Sequence, residues 1–196
     1  MNYLIPLLCV TLWSAPVLAE TAAPKLQGNM AVHIAQMHYD HPTRLLHPYL
    51  DVWHMKGPLA QKVALARLSK RFEHVQWCNQ AKNATLVLQL EPHMFYNPQL
   101  KVFHAEIIAK AYTQSGGSNN LEPAMLKIKK QAQQVGDLNA TPTFYMEKAY
   151  VKAMDKVITA LEKDAVFVNS LQTTQAKQVE TICPALDELP VSKLYY

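Results

Sequence analysis

Two stretches of strict alternation, Thr85–Glu91 (TLVLQLE) and Leu100–Thr113 (LKVFHAEIIAKAYT), limit what this chain can become more than any other feature. Leu86, Leu88 and Leu90 fall on one face of the first. Phe103, Ala105, Ile107, Ala109 and Ala111 fall on one face of the second, with His104, Glu106 and Lys110 opposite. A period of two belongs to strands, because successive side chains leave the backbone on opposite sides. The eight residues between the runs, PHMFYNPQ, carry Pro92 and Pro98 and read as a connection. The pair is therefore expected to form a long antiparallel hairpin with one wet face.

The other elements follow from the same kind of spacing. Met30–Tyr39 alternates and predicts a strand with Met30, Val32 and Ile34 on one side. Residues 41–57 are punctuated by proline and read as a loop with one helical turn. Pro58 opens a helix over Pro58–Phe72, with an apolar stripe opposed by Lys62, Arg67, Lys70 and Arg71. Val75–Cys78 is a short strand. Residues 114–121 (QSGGSNNL) make a polar turn, and Met125, Ile128, Ala132 and Val135 predict a helix over Pro123–Val135 that stops at Gly136. The strongest helix is Thr143–Asp164, where Met146, Tyr150, Met154, Val157 and Leu161 share a face and Thr141-Pro142-Thr143 supplies the cap. Ala165–Val168 reads as a last short strand. Strands and helices do not alternate long enough for a doubly wound sheet. The expected class is α+β, an antiparallel sheet containing the long hairpin, with helices packed mainly on one face. One domain spans 30–168, after a flexible leader over 20–29 and before a loosely docked tail over 169–196.

The first nineteen residues, MNYLIPLLCVTLWSAPVLA, hold no charged side chain. The apolar run from Leu4 to Trp13 is too short to span a bilayer, which takes about 20 residues. It is followed by Pro16 and the small-residue pattern Val17-Leu18-Ala19, so residues 1–19 read as a signal peptide cut after Ala19. The mature chain is then expected in the periplasm, without a spanning segment. Cleavage removes Cys9 and leaves Cys78 and Cys183. An even pair in an oxidising compartment predicts a disulfide between them.

Five glycines (Gly28, Gly57, Gly116, Gly117, Gly136) cannot be written into a phosphate-cradling or nucleophile-elbow motif. A net charge of +4 is too mild to indicate nucleic acid. No serine, cysteine or carboxylate pair has a catalytic spacing, so no enzyme activity and no cofactor are expected. Tyr49, Trp53, Phe95 and Tyr96 sit in proline-bearing connections, where exposed aromatics mark contact surfaces, and they are the candidate partner contacts.

The element order over Met30–Val168 resembles small periplasmic α/β modules of the cell envelope, such as auxiliary subunits of lipid-transporting ABC systems and the N-terminal domain of the Tol system's propeller protein. That resemblance carries no residue-level motif. Together these features imply an exported, non-catalytic accessory or binding protein that contacts another envelope protein. The alternative is a periplasmic copper- or zinc-binding protein. All eight histidines precede residue 105, and Met37-His38, His54-Met55 and His93-Met94 put thioether beside imidazole. In that reading Met37, His38, His41, His54 and Met55 would have to converge.

Overall fold

A computed structural model describes residues 24–46, 51–113, 124–173, 175–179 and 182–189. The expected signal peptide, Tyr49 and the 114–121 turn lie outside the described residues.

The frame is a five-stranded sheet in the order β4-β1-β6-β7-β8. Its strands are β1 (Leu26–His33), β4 (Phe72–Trp77), β6 (Leu86–Asn97), β7 (Val102–Tyr112) and β8 (Leu126–Val135). β1 starts at Leu26, inside the segment expected to be a leader, and ends before the Met37-His38 pair. The expected hairpin is β6–β7, in unbroken antiparallel register from Val87 opposite Tyr112 to Asn97 opposite Val102. β1 runs parallel to both of its neighbours, so the sheet is mixed, antiparallel only from β6 to β8.

Residues 92–97, expected in the connection, continue β6. Pro92 is tolerated there because β1 pairs with β6 only as far as Gln89, leaving the rest of that side as an edge. The turn itself is short. Asn97 accepts the backbone N–H groups of Gln99 (3.0 Å) and Leu100 (3.1 Å), and Lys101 takes a positive φ of 50°.

Three further expectations are corrected. Residues 126–135 form strand β8, not a helix. Met125, Ile128, Ala132 and Val135 suit a helix, but Leu126, Ile128 and Ala132 also suit period two, and the open side of β7 decides the matter by pairing Leu126 with Ala111 and Ala132 with Ala105. Ala165–Val168 begins a helix, α4 (Ala165–Thr173), because Asp164 caps it by accepting the Phe167 N–H at 2.8 Å. Residues 42–55 form a small antiparallel hairpin, β2 (Pro42–Leu46) with β3 (Asp51–Met55), which buries Leu45. Pro42 stands at the strand's first residue, where its missing N–H costs little.

The helices α2 (Lys56–Leu68) and α3 (Pro142–Lys163) cover one sheet face together with α4. α3 buries Met146, Ala149, Tyr150, Ala153, Met154, Val157, Ile158 and Leu161, the stripe its sequence spacing predicts. Its N-cap Thr141 makes no side-chain cap bond, so the start rests on Pro142 and the Phe144 N–H donating to the Thr141 carbonyl. Arg67 on α2 pairs with Asp155 at 2.7 Å, and Arg71, in the turn after α2, pairs with Glu162 at 2.6 Å, both partners on α3. No helix among the described residues is long and apolar enough to cross a membrane.

Among the described residues, the second sheet face is covered at one end only. There α5 (Ile182–Asp187) and the short β5–β9 pair (Asn83–Ala84 with Lys177–Gln178) enclose Ala31, Val87, Tyr112, Val179 and Leu186. Cys78 and Cys183 are joined in a disulfide, their Cα atoms 6.0 Å apart. The described parts of 169–196 are thus held by buried Leu171, Val179 and Leu186 as well as by the disulfide.

Candidate functional site

The outward-facing residues of β6 form a column that changes character along its length. Gln89 and Glu91 are buried, His93 is nearly so, and Phe95 is 50% exposed. Gln89 accepts a hydrogen bond from the Tyr112 hydroxyl at 3.3 Å and donates to the Leu186 carbonyl at 3.4 Å. Glu91 is ion-paired with Lys110 on β7. A buried carboxylate needs such a partner, since an uncompensated charge out of water is costly.

Beyond Glu91 the column opens into a cleft of about 830 Å³, lined among others by Lys56, His93, Phe95, His104, Glu106 and Lys156. Neighbouring elements bring titratable groups to its inner wall. The short helix α1 (Gln36–Asp40) places His38 against His93, and the β2–β3 hairpin packs on β6 and leads directly into Lys56, the first residue of α2. Gly57 allows α2 to start this close to α1. A Cβ there would stand 2.2 Å from the Tyr39 carbonyl oxygen, so only glycine lets the two backbones meet.

Lys56 is 1% exposed and, among the described residues, has no carboxylate within ion-pairing distance and no hydrogen-bond acceptor. Burial pushes its amine down to about 8. At pH 7 it is still about nine-tenths protonated. His38 is fully buried, and neither ring nitrogen has a hydrogen-bond partner among the described residues. Burial first, and then the nearness of His93, push it down to about 4. His93 and His41 are lowered too, by burial and then by the Lys56 charge. Burial alone would raise Glu106, but hydrogen bonds from Gln131 and Lys129, the latter at 2.9 Å, hold its carboxyl below the usual range. Near neutrality the inner wall therefore presents neutral imidazoles around one ammonium, with the nearby carboxylates already engaged.

The aromatic residues singled out from sequence separate in the structure. Phe95 lines the cleft and lies 5.6 Å from the His104 ring. Trp53 is 47% exposed on β3, with the Arg44 guanidinium 5.8 Å from its ring. Tyr96, one residue beyond Phe95, points to the other face and is buried against Phe103, with ring centroids 4.6 Å apart. It cannot serve as an exposed contact, and the period of two along β6 is the reason. Met37 and Met55 are 56% and 48% exposed while His38 is buried. Among the described residues, no group of three or more His, Cys, Asp or Glu is placed to hold a metal ion. Lys56 had no sequence signal, because nothing in a charge on a helix start announces that the fold will bury it.

No protein-family profile matches the chain, and no curated protein sequence matches it. Among solved structures it is similar to a candidate lipoprotein from Caulobacter crescentus, with 13% identity and a TM-score of 0.35 over 61% of this chain and 85% of that one. It is also similar to a PelC dodecamer from Paraburkholderia phytofirmans, with 13% identity and a TM-score of 0.36 over 67% of this chain and 90% of that one. Likenesses this loose transfer no residue role and no activity.

Proposed function

We propose that this chain is an exported, non-catalytic accessory or binding protein of the cell envelope that contacts another protein through its exposed aromatics Trp53 and Phe95. The observation that carries the reading is the half-covered second sheet face. At one end α5, tied down by Cys78–Cys183, seals it; at the other Phe95 and Val135 stand 50% and 68% exposed. Exposed apolar side chains grouped beside a cleft favour a contact surface over a merely solvated face. The disulfide favours an oxidising compartment, in line with periplasmic export after cleavage at Ala19. The non-catalytic reading rests on the absence of a catalytic spacing in the sequence.

The test is site-specific photocrosslinking in intact cells, with the photoreactive residue at Trp53, at Phe95 and, as a control, at Val166, which is 61% exposed on α4. The expected result is one discrete adduct from positions 53 and 95 and none from 166. Absence of any adduct at 53 and 95 sinks the proposal.

A further inference from the structure

The cleft is built around a charge that none of the described residues neutralises. Glu91 answers Lys110, Glu106 answers Lys129, and Lys156 donates to the Gln131 carbonyl at 2.8 Å. Lys56, buried on the inner wall, has no such acceptor among the described residues. The His104 Nε2, also in the cleft, is buried with no hydrogen-bond partner among the described residues. An ammonium left with only a sliver of solvent contact and no anion costs the folded state, and an anion entering the cleft offsets that cost. Phe95 gives the same cleft an apolar wall beside His104. The volume is within the range of small-molecule sites, roughly 300–1,000 Å³.

We propose that this cleft binds a small organic anion, with one carboxylate or phosphate group seated on Lys56 and an apolar body against Phe95. Glu106 sets the approach: its carboxylate, held by Lys129 and Gln131, repels an anion from the outer wall and leaves Lys56 as the seat. This goes beyond contact with a protein partner and does not depend on it, since the crosslinking positions and the ligand titration report separately.

The experiment is titration of the purified protein with benzoate, phenyl phosphate and inorganic phosphate, followed by calorimetry and by ¹⁵N shifts of the histidine rings. Saturable binding of benzoate or phenyl phosphate is expected, with shifts at His93 and His104. Which of the two binds more tightly distinguishes a carboxylate ligand from a phosphate ester. Lys56→Met is expected to weaken both by about 10- to 100-fold, the worth of a hydrogen bond to a charged group. Phe95→Ala changes an exposed side chain, so the fold is kept, and it is expected to weaken both aromatic probes while leaving inorganic phosphate unchanged. The proposal is overturned if neither aromatic probe saturates at millimolar concentration. It is equally overturned if inorganic phosphate binds as tightly as phenyl phosphate, or if Lys56→Met and Phe95→Ala leave binding as it was.

Discussion

The His38 ring meets the His93 ring edge-on, with centroids 5.3 Å apart and planes at 85°. The contact joins α1 to the middle of β6 and is compatible with neutral rings only, because a proton on His38 would sit, buried, beside His93, His41 and Lys56. His38 titrates at about 4 in the fold and at its ordinary 6.5 when unfolded. Between these values the unfolded chain binds the proton and the folded chain does not. The stability from keeping His38 neutral is thus complete above about 6.5 and is lost as the pH falls toward 4, to a total of up to about 3 kcal/mol. His38→Leu also removes two unpartnered buried nitrogens. It is expected to melt no lower than wild type at pH 7 and to shift the acid unfolding midpoint downward, as circular dichroism against pH will show.

Lys56 has the same sign in an alkaline window. Its folded value near 8 lies below its ordinary 10.5, so between them the unfolded chain holds the proton that the folded chain has released. The stability of wild type relative to Lys56→Met therefore rises across pH 8 to 10.5. Lys56→Met is expected to be more stable at pH 7, by at most about 3 kcal/mol, and the gap should close by pH 10.5. A gap that stays constant in melts across that range would refute the burial cost assigned to this amine.

Replacing both Cys78 and Cys183 by alanine opens a loop of 105 residues. By the loop-closure argument the unfolded chain regains freedom worth about 4–5 kcal/mol, an upper figure. Proteolysis of the variant is expected to begin in 182–189, since among the described residues α5 is then held by buried Leu186, the Gln89 bond to the Leu186 carbonyl at 3.4 Å, the His33–Asp187 pair at 3.2 Å, the Gln36 N–H to Asp187 contact at 2.8 Å and two backbone bonds to the Val179 carbonyl. Intact-mass measurement of the envelope form, with and without reductant and alkylation, tests the disulfide and the cut after Ala19 together. Two thiols alkylated without reductant would contradict both the geometry and the proposed compartment.

Tyr150 lies fully buried under α3, and its hydroxyl has no hydrogen-bond partner among the described residues. Desolvation pushes that hydroxyl's titration far up. Tyr150→Phe keeps the packing and removes the unmet polar group, so it is expected to stabilise by about 1 kcal/mol. A drop in melting temperature would mean that the hydroxyl finds an acceptor after all.

Gly57→Ala tests the close approach of α2 to α1. Because the new methyl would collide with Tyr39 backbone atoms, α2 must back away, taking Lys56 with it and stretching the 2.8 Å bond from the Tyr39 hydroxyl to Gln61. A loss of more than about 2 kcal/mol is expected, typical of forced overpacking. Chemical denaturation measures it, and a neutral outcome would show that the junction can yield.

The elements with one unambiguous period were legible in the sequence: β6 and β7 through alternating leucines and alanines, α3 through Met146, Tyr150, Met154, Val157 and Leu161. Where two periods fitted one string, as at Met125–Val135, the partner strand decided, and no local signal contains the partner. The small hairpin was hidden by Pro42 and Pro48, which read as loop residues although Pro42 merely opens a strand. The disulfide was legible because only two cysteines remain after the expected cut. The cleft was not legible, since Lys56 lies far along the chain from His93 and His104, and all three acquire meaning only through burial. Phe95 and Tyr96 show the limit most plainly: they are adjacent in sequence, yet one faces solvent and the other the core.

β1 is the first strand along the chain, yet it lies between β4 and β6 and hydrogen-bonds to both. A chain made N-terminus first therefore presents its first described strand with nothing to pair with until Trp77 and then Gln89 have followed. Nearly half the described chain must be available before the sheet can close around it, and Cys78 must wait longer still for Cys183. The order of synthesis and the order of assembly are thus decoupled.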